Sequence, residues 1–261
     1  MELPIYQVAA FTSGAFGGNP AAVVPLDAWI DDELMQRIAA ENNLSETAFF
    51  VPTGESEWHI RWFTPTVEVP LCGHATLASA AVIRHPLGHG DFPITFRSAS
   101  GPLTIDTAGD GFRLDLPANP PALVPLPAGL DEAMGATSLE CGIGRDIWML
   151  VYEDESIVRG LTPDFPAVAQ IIEHGIIATA PGNEVDFVSR FFAPAIGIDE
   201  DPVTGAAHCV LTPYWSARLG KPAMRAQQVS ARLGDLGCEL ADDRVRLTGD
   251  AVFFLAGTIS V

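Results

Sequence analysis

The chain has 261 residues with 14 basic and 33 acidic side chains, a formal charge of −19, and is 48% hydrophobic and 18% charged. That length suits one large domain or two small ones around a sizeable core, and the composition excludes a disordered chain. An acidic balance without any Lys/Arg cluster argues against nucleic acid or anionic membrane as partners, while leaving room for a small anion held by local donors.

The pattern predicts alternating strands and helices. Ile5–Val8 reads as a strand, Gly14–Pro20 as a turn-rich loop and Ala21–Pro25 as a second short strand. Asp31 or Asp32 is placed to cap a helix whose apolar stripe is Leu34, Met35, Ile38 and Ala39, ending at Asn42-Asn43. Thr47–Val51 and Trp58–Phe63 follow as strands, and Gly73–His85 as a small-residue, apolar helix. Leu103–Leu116 predicts a hairpin turning at Ala108–Gly111, and the proline-dense Pro117–Pro127 predicts a linker between domains 1–117 and 118–261. No apolar run approaches the roughly 20 residues that span a bilayer. Met1–Pro4 shows no signal-peptide pattern, so a soluble, cytoplasmic protein is expected.

Several chemistries lack support. Cys72, Cys141, Cys209 and Cys238 have neither disulfide-framework nor CxxC spacing, so no metal site is expected. Gly142-Ile143-Gly144 is only a fragment of a dinucleotide fingerprint and no phosphate-binding loop motif occurs, so no nucleotide cofactor is expected.

The most informative feature is an internal echo. Arg61-Trp62-Phe63-Thr64-Pro65 recurs as Arg190-Phe191-Phe192-Ala193-Pro194, and each copy leads to a glycine opening a small-residue helix, at Gly73 and at Gly205. A second hairpin-like segment, Cys238–Leu247, turns at Asp242-Asp243. Two copies this long predict a duplicated domain rather than a solenoid.

A helix N-terminus presents unpaired N–H groups and partial positive charge, and glycine admits a ligand close to that backbone. Two such ends can hold a carboxylate or enolate oxygen without Lys or Arg, although each glycine equally suits a tight turn into a buried helix. His74 follows Gly73, and Asp201 lies shortly before Gly205. His exchanges protons near neutral pH and Asp can orient it, while a satisfied histidine and an Asx-type turn are the bland readings. Glu46 precedes the apolar strand at Thr47, where partial burial would raise its pKa toward acid/base use, or where it is simply exposed at a strand mouth.

Taken in order, Gly18-Asn19-Pro20-Ala21-Ala22-Val23, Asn43-Leu44-Ser45-Glu46-Thr47-Ala48-Phe49, Pro70-Leu71-Cys72-Gly73-His74-Ala75-Thr76 and Asp201-Pro202-Val203-Thr204-Gly205 resemble the phenazine-biosynthesis PhzF-like family over nearly the whole chain. The resemblance implies an α/β, diaminopimelate-epimerase-like fold: two pseudo-symmetric domains, each a curved sheet around a central helix, with the site in the cleft between them. It implies Glu46 as the proton-shuttling acid/base, with His74 and Asp201 in the same site. It further implies that Asn19, Gly73, Gly205 and Ala206 bind a small anionic metabolite, that no metal or organic cofactor is needed, and that the protein is a homodimer. Ala206 stands where phenazine-pathway members tend to carry serine, which leaves the substrate open.

The expected activity is thus a cofactor-independent isomerase moving a proton through Glu46. One alternative is a two-thiol amino-acid racemase or epimerase, for which Cys72 is placed at a helix start while Cys209 lies four residues beyond Gly205, inside the helix. The other is a non-catalytic protein that binds a carboxylate metabolite.

Overall fold

In the computed structural model, which describes residues 1–261, the chain divides into one unit of Met1–Asp115 with Thr248–Val261 and another of Leu116–Leu247. In the first, strand Glu2–Ala10 pairs antiparallel with both Asn19–Pro25 and Ala251–Ser260. Asn19–Pro25 runs parallel to Glu46–Gly54, which pairs antiparallel with Glu57–Phe63. The far edge of Glu57–Phe63 is shared: Glu68–Val69 pairs with its end and Ile94–Ser98, parallel, with its start. Gly101–Ala108 and Gly111–Pro117 complete the sheet as the expected hairpin.

Helix Asp32–Asn42 makes the parallel crossover. Asp31 caps it, its carboxylate accepting from the N–H groups of Glu33 and Leu34, and Asn43 stops it in the left-handed conformation at φ 49°. Met35, Ile38 and Ala39 pack with Phe49 and Phe63 on one sheet face, each large side chain contributing about 2 kcal/mol by burial. Helix Gly73–Arg84 is buried from His74 to Ile83 and packs against strands Glu2–Ala10, Asn19–Pro25 and Glu46–Gly54. Its alanines let the backbone approach the curved sheet closely.

The second unit repeats this order. Glu140–Gly144 is antiparallel to Ile147–Val151, which runs parallel to Gly175–Pro181, itself antiparallel to Phe187–Ala193. The far edge of Phe187–Ala193 again carries two strands, Ile198–Asp201 antiparallel and Ala223–Gln228 parallel, and Gly234–Ala241 follows antiparallel. Helices Glu155–Gly160 and Phe165–Ile171, capped by Asp154 and Asp164, make the crossover, and the central helix is Gly205–Leu219.

The sequence echo marks a duplicated clasp. Arg61 donates to both carboxylate oxygens of Glu68, at 2.7 and 2.8 Å, with its guanidinium 5.2 Å from the Phe63 ring centroid. Arg190 does the same with Glu200, at 2.7 and 2.8 Å, over Phe192 at 4.9 Å. Each clasp ties a long strand to its short partner.

Two expectations change. The second domain was expected to run to residue 261, but Thr248–Val261 belongs to the first unit: Ala251–Ser260 pairs along Glu2–Ala10, from Glu2 with Ser260 to Ala10 with Ala251. The Pro117–Pro127 segment is not a bare linker, because Ala122–Leu123 pairs with Gly142 and Ile143 as an edge strand. No helix is long and apolar enough to cross a membrane.

Candidate active site

In the first unit, three strand and helix ends deliver polar groups to one point. Gly18, at φ +62°, makes the turn into Asn19; a Cβ there would lie 2.2 Å from the Ala10 carbonyl oxygen. Asn19 opens strand Asn19–Pro25, Glu46 opens Glu46–Gly54, Cys72 is the N-cap of helix Gly73–Arg84 and His74 is its second residue. Asn19 Nδ2 lies 3.2 Å from His74 Nδ1, and Cys72 Sγ 3.4 Å from the same nitrogen. His74 Nε2 lies 3.2 Å from Glu46 Oε2.

These contacts fix the state of the imidazole. His74 is 4% exposed, and burial pushes its pKa down from 6.5 to about 3, so the ring is neutral. With the Asn19 amide donating to Nδ1, the single ring proton sits on Nε2, close to Glu46 Oε2 but not aligned with it as a hydrogen bond. The Glu46 side chain is 13% exposed, less buried than His74. The arrangement holds a carboxylate beside a neutral imidazole whose far nitrogen is anchored, which suits proton transfer at carbon. Glu46, Cys72 and His74 also offer three ligand atoms within 4.8 Å of one another.

In the second unit, Asp201 ends strand Ile198–Asp201, and Thr204 is the N-cap of the helix opened by Gly205 and Ala206. The Thr204 hydroxyl donates to the Asp201 carboxylate. Thr204 O accepts from Nδ1 of His208 at 2.8 Å, and burial lowers the His208 pKa to about 4, so that ring is neutral too. Gln228 bonds to both Asp201 and Thr204.

Both central helices begin without a side-chain cap or a first-turn acid, whereas Asp31, Asp154 and Asp164 cap crossover helices. Caps satisfy orphan N–H groups; leaving them off keeps those donors for a ligand.

Of the expected residues, the structure gathers Asn19, Glu46, Gly73 and His74 in the first unit, and Asp201, Gly205 and Ala206 in the second. Sequence reasoning did not foresee the Cys72–His74 contact, nor Thr204 and Gln228 beside Asp201. The buried Gln228 at the end of an alternating strand was the available signal.

A family model described as phenazine biosynthesis-like protein matches residues 8–257. An uncharacterized isomerase of Pseudomonas aeruginosa is 50% identical, the match covering 99% of each chain. The crystal structure of a PhzF-family phenazine biosynthesis protein from Enterococcus faecalis superposes with a TM-score of 0.97 at 44% identity over 100% of both chains. A probable proline racemase from Agrobacterium radiobacter shares the fold, with a TM-score of 0.64 at 11% identity over 99% of this chain and 92% of that one.

Proposed function

The chain belongs to the phenazine biosynthesis-like protein family and is an isomerase, and from that premise we propose that it moves a proton on a small carboxylate-bearing metabolite with Glu46 as the acid/base. The observation that carries this is the half-buried Glu46, 3.2 Å from the buried His74 at the start of an uncapped helix.

Ionised Glu46 takes a proton from an activated carbon. The C–H electron pair delocalises into the adjacent unsaturated or carboxyl group, and the N–H groups at the Gly73 helix start stabilise the resulting negative charge. The Glu46 carboxylic acid then returns the proton to a different carbon and regenerates the carboxylate, so no oxidant or reductant enters. Neutral His74, its Nε2 3.2 Å from Glu46 Oε2, confines the carboxylate by packing beside it. We assign Asn19 in the first unit, and Asp201, Gly205 and Ala206 in the second, to substrate binding.

In Glu46→Gln, ligand binding is expected to survive while turnover and solvent-deuterium incorporation into the ligand disappear; undiminished turnover would refute the assignment. A two-thiol racemase is disfavoured by the second helix start, where Thr204 occupies the N-cap. Cys209 lies inside that helix, buried, its thiol pushed up to about 12. Binding without carbon–deuterium exchange, on a ligand held by the wild type, would instead mark a non-catalytic metabolite-binding protein.

A further inference from the structure

Gln228 ends strand Ala223–Gln228 and is fully buried. Its amide orientation is settled by its partners. Oε1 accepts from the Thr204 N–H at 2.8 Å, so Nε2 faces the Asp201 carbonyl oxygen at 2.7 Å and Thr204 Oγ1 at 3.2 Å. Because Nε2 can only donate, the Thr204 hydroxyl accepts there, and its one proton is left for the Asp201 carboxylate. Ser230 Oγ donates to the Pro202 carbonyl at 2.9 Å and His208 Nδ1 to that of Thr204 at 2.8 Å. The carbonyls of Asp201, Pro202 and Thr204 and the N–H of Thr204 are therefore all held.

The first unit supplies a control. Gln227 pairs with Val188, and Arg97 pairs with His59 at the matching point of the duplicated strand, so Gln228 corresponds to Ser98. Ser98 Oγ donates to Gly101 O at 2.8 Å. A cavity of about 350 Å³ remains there, lined by Ile60, Val69, Pro70, Ser98 and Ala99 among others. The fold itself does without a long amide at this position.

We propose that Gln228, acting through Thr204, is a positioning residue that fixes the direction and the ionised form of the Asp201 carboxylate for substrate. Resting on the assignment of Asp201 to the site, this adds two residues that act through Asp201. An O–H donated to the carboxylate favours its charged form and restricts its rotation.

The test uses the full chain labelled with ¹³C at aspartate carboxyls, with the Asp201 signal identified by its loss in Asp201→Asn. The same variants are assayed for solvent-deuterium exchange on a panel of small unsaturated carboxylates. Thr204→Val, nearly isosteric, should raise the Asp201 titration midpoint and slow exchange about threefold to fivefold, short of the loss in Asp201→Asn. Thr204→Ser should restore both. Gln228→Ser, which installs the first unit's residue, should move both in the same direction as Thr204→Val. An unmoved midpoint in Thr204→Val and Gln228→Ser overturns the proposal, as does a moved midpoint with unchanged exchange. If Asp201→Asn itself exchanges at the wild-type rate while Glu46→Gln does not, the role of Asp201 fails and Glu46 stands. If Glu46→Gln exchanges normally, the function itself fails.

Discussion

Glu46 opens the strand Glu46–Gly54, and Thr47 beside it pairs with Phe63. In the second unit Ile176 pairs with Phe192, so the residue matching Glu46 is Gly175. A Cβ on Gly175 would lie 2.3 Å from the Phe191 ring, which leaves no room for a carboxylate there. The helix starts diverge in the same way: Cys72-Gly73-His74 corresponds to Thr204-Gly205-Ala206. Conversely Asp201, paired with Phe191, matches Val69, paired with Trp62. Both units have an uncapped central-helix start, while the Glu46–His74 pair stands in the first and the carboxylate bonded by Thr204 in the second.

Substitutions can break that division. Glu46→Gln should lower turnover by about a thousandfold, within the range of acid/base contributions, whereas Asp201→Asn should cost about tenfold. Steady-state rates of both variants on one carboxylate decide it, and equal losses would erase the distinction between units.

The clasps should differ in stability. Arg190 is 12% exposed and also donates to the carbonyls of Leu161 at 2.8 Å and Val158 at 3.3 Å, while Arg61 is 20% exposed with Glu68 at 41%, and its further partner, at 2.6 Å, is the well-exposed Asp32 carboxylate. Arg190→Met should cost about 3 kcal/mol and Arg61→Met about 1 kcal/mol, measured by urea unfolding. A larger loss for Arg61→Met would contradict the ranking.

Each unit also buries one neutral histidine, with pKa lowered from 6.5 to about 3 for His74 and about 4 for His208. The unfolded chain binds these protons near pH 6.5 and the folded chain does not. Stability is therefore full above that pH and falls progressively toward pH 4 and below. His208→Asn, which keeps a donor for Thr204 O, should flatten the decline in urea midpoint between pH 7 and 4.5; an unchanged slope would assign the decline elsewhere.

The smallest effect is expected of Ala206→Ser. Ala206 is exposed at the helix start, so an added hydroxyl should change KM a few-fold with little change in kcat. An altered kcat at constant KM would place Ala206 nearer the reacting carbon.

Local features were legible in the sequence: a cap at Asp31 or Asp32, the alanine-rich Gly73 helix, the hairpin turning at Ala108–Gly111 and the repeated arginine-aromatic segments, though not the clasps their arginines make, all set by near neighbours or by repetition. The return of Ala251–Ser260 to Glu2–Ala10 was not, because an apolar strand does not encode which edge it joins. Glu46, His74 and Asp201 stood out by residue type and motif. The Cys72–His74 contact depends on an extended N-cap at φ −145°. Gln228 reaches Asp201 only through the parallel pairing of distant strands.

The most direct test is carbon–hydrogen exchange in heavy water, followed by mass spectrometry on a panel of small unsaturated carboxylates, with wild type and Glu46→Gln side by side. Deuterium appearing at carbon with the wild type and absent with Glu46→Gln, at equal ligand occupancy, is the predicted result. Exchange at the same rate in both would contradict the placement of the proton-moving group in the first unit.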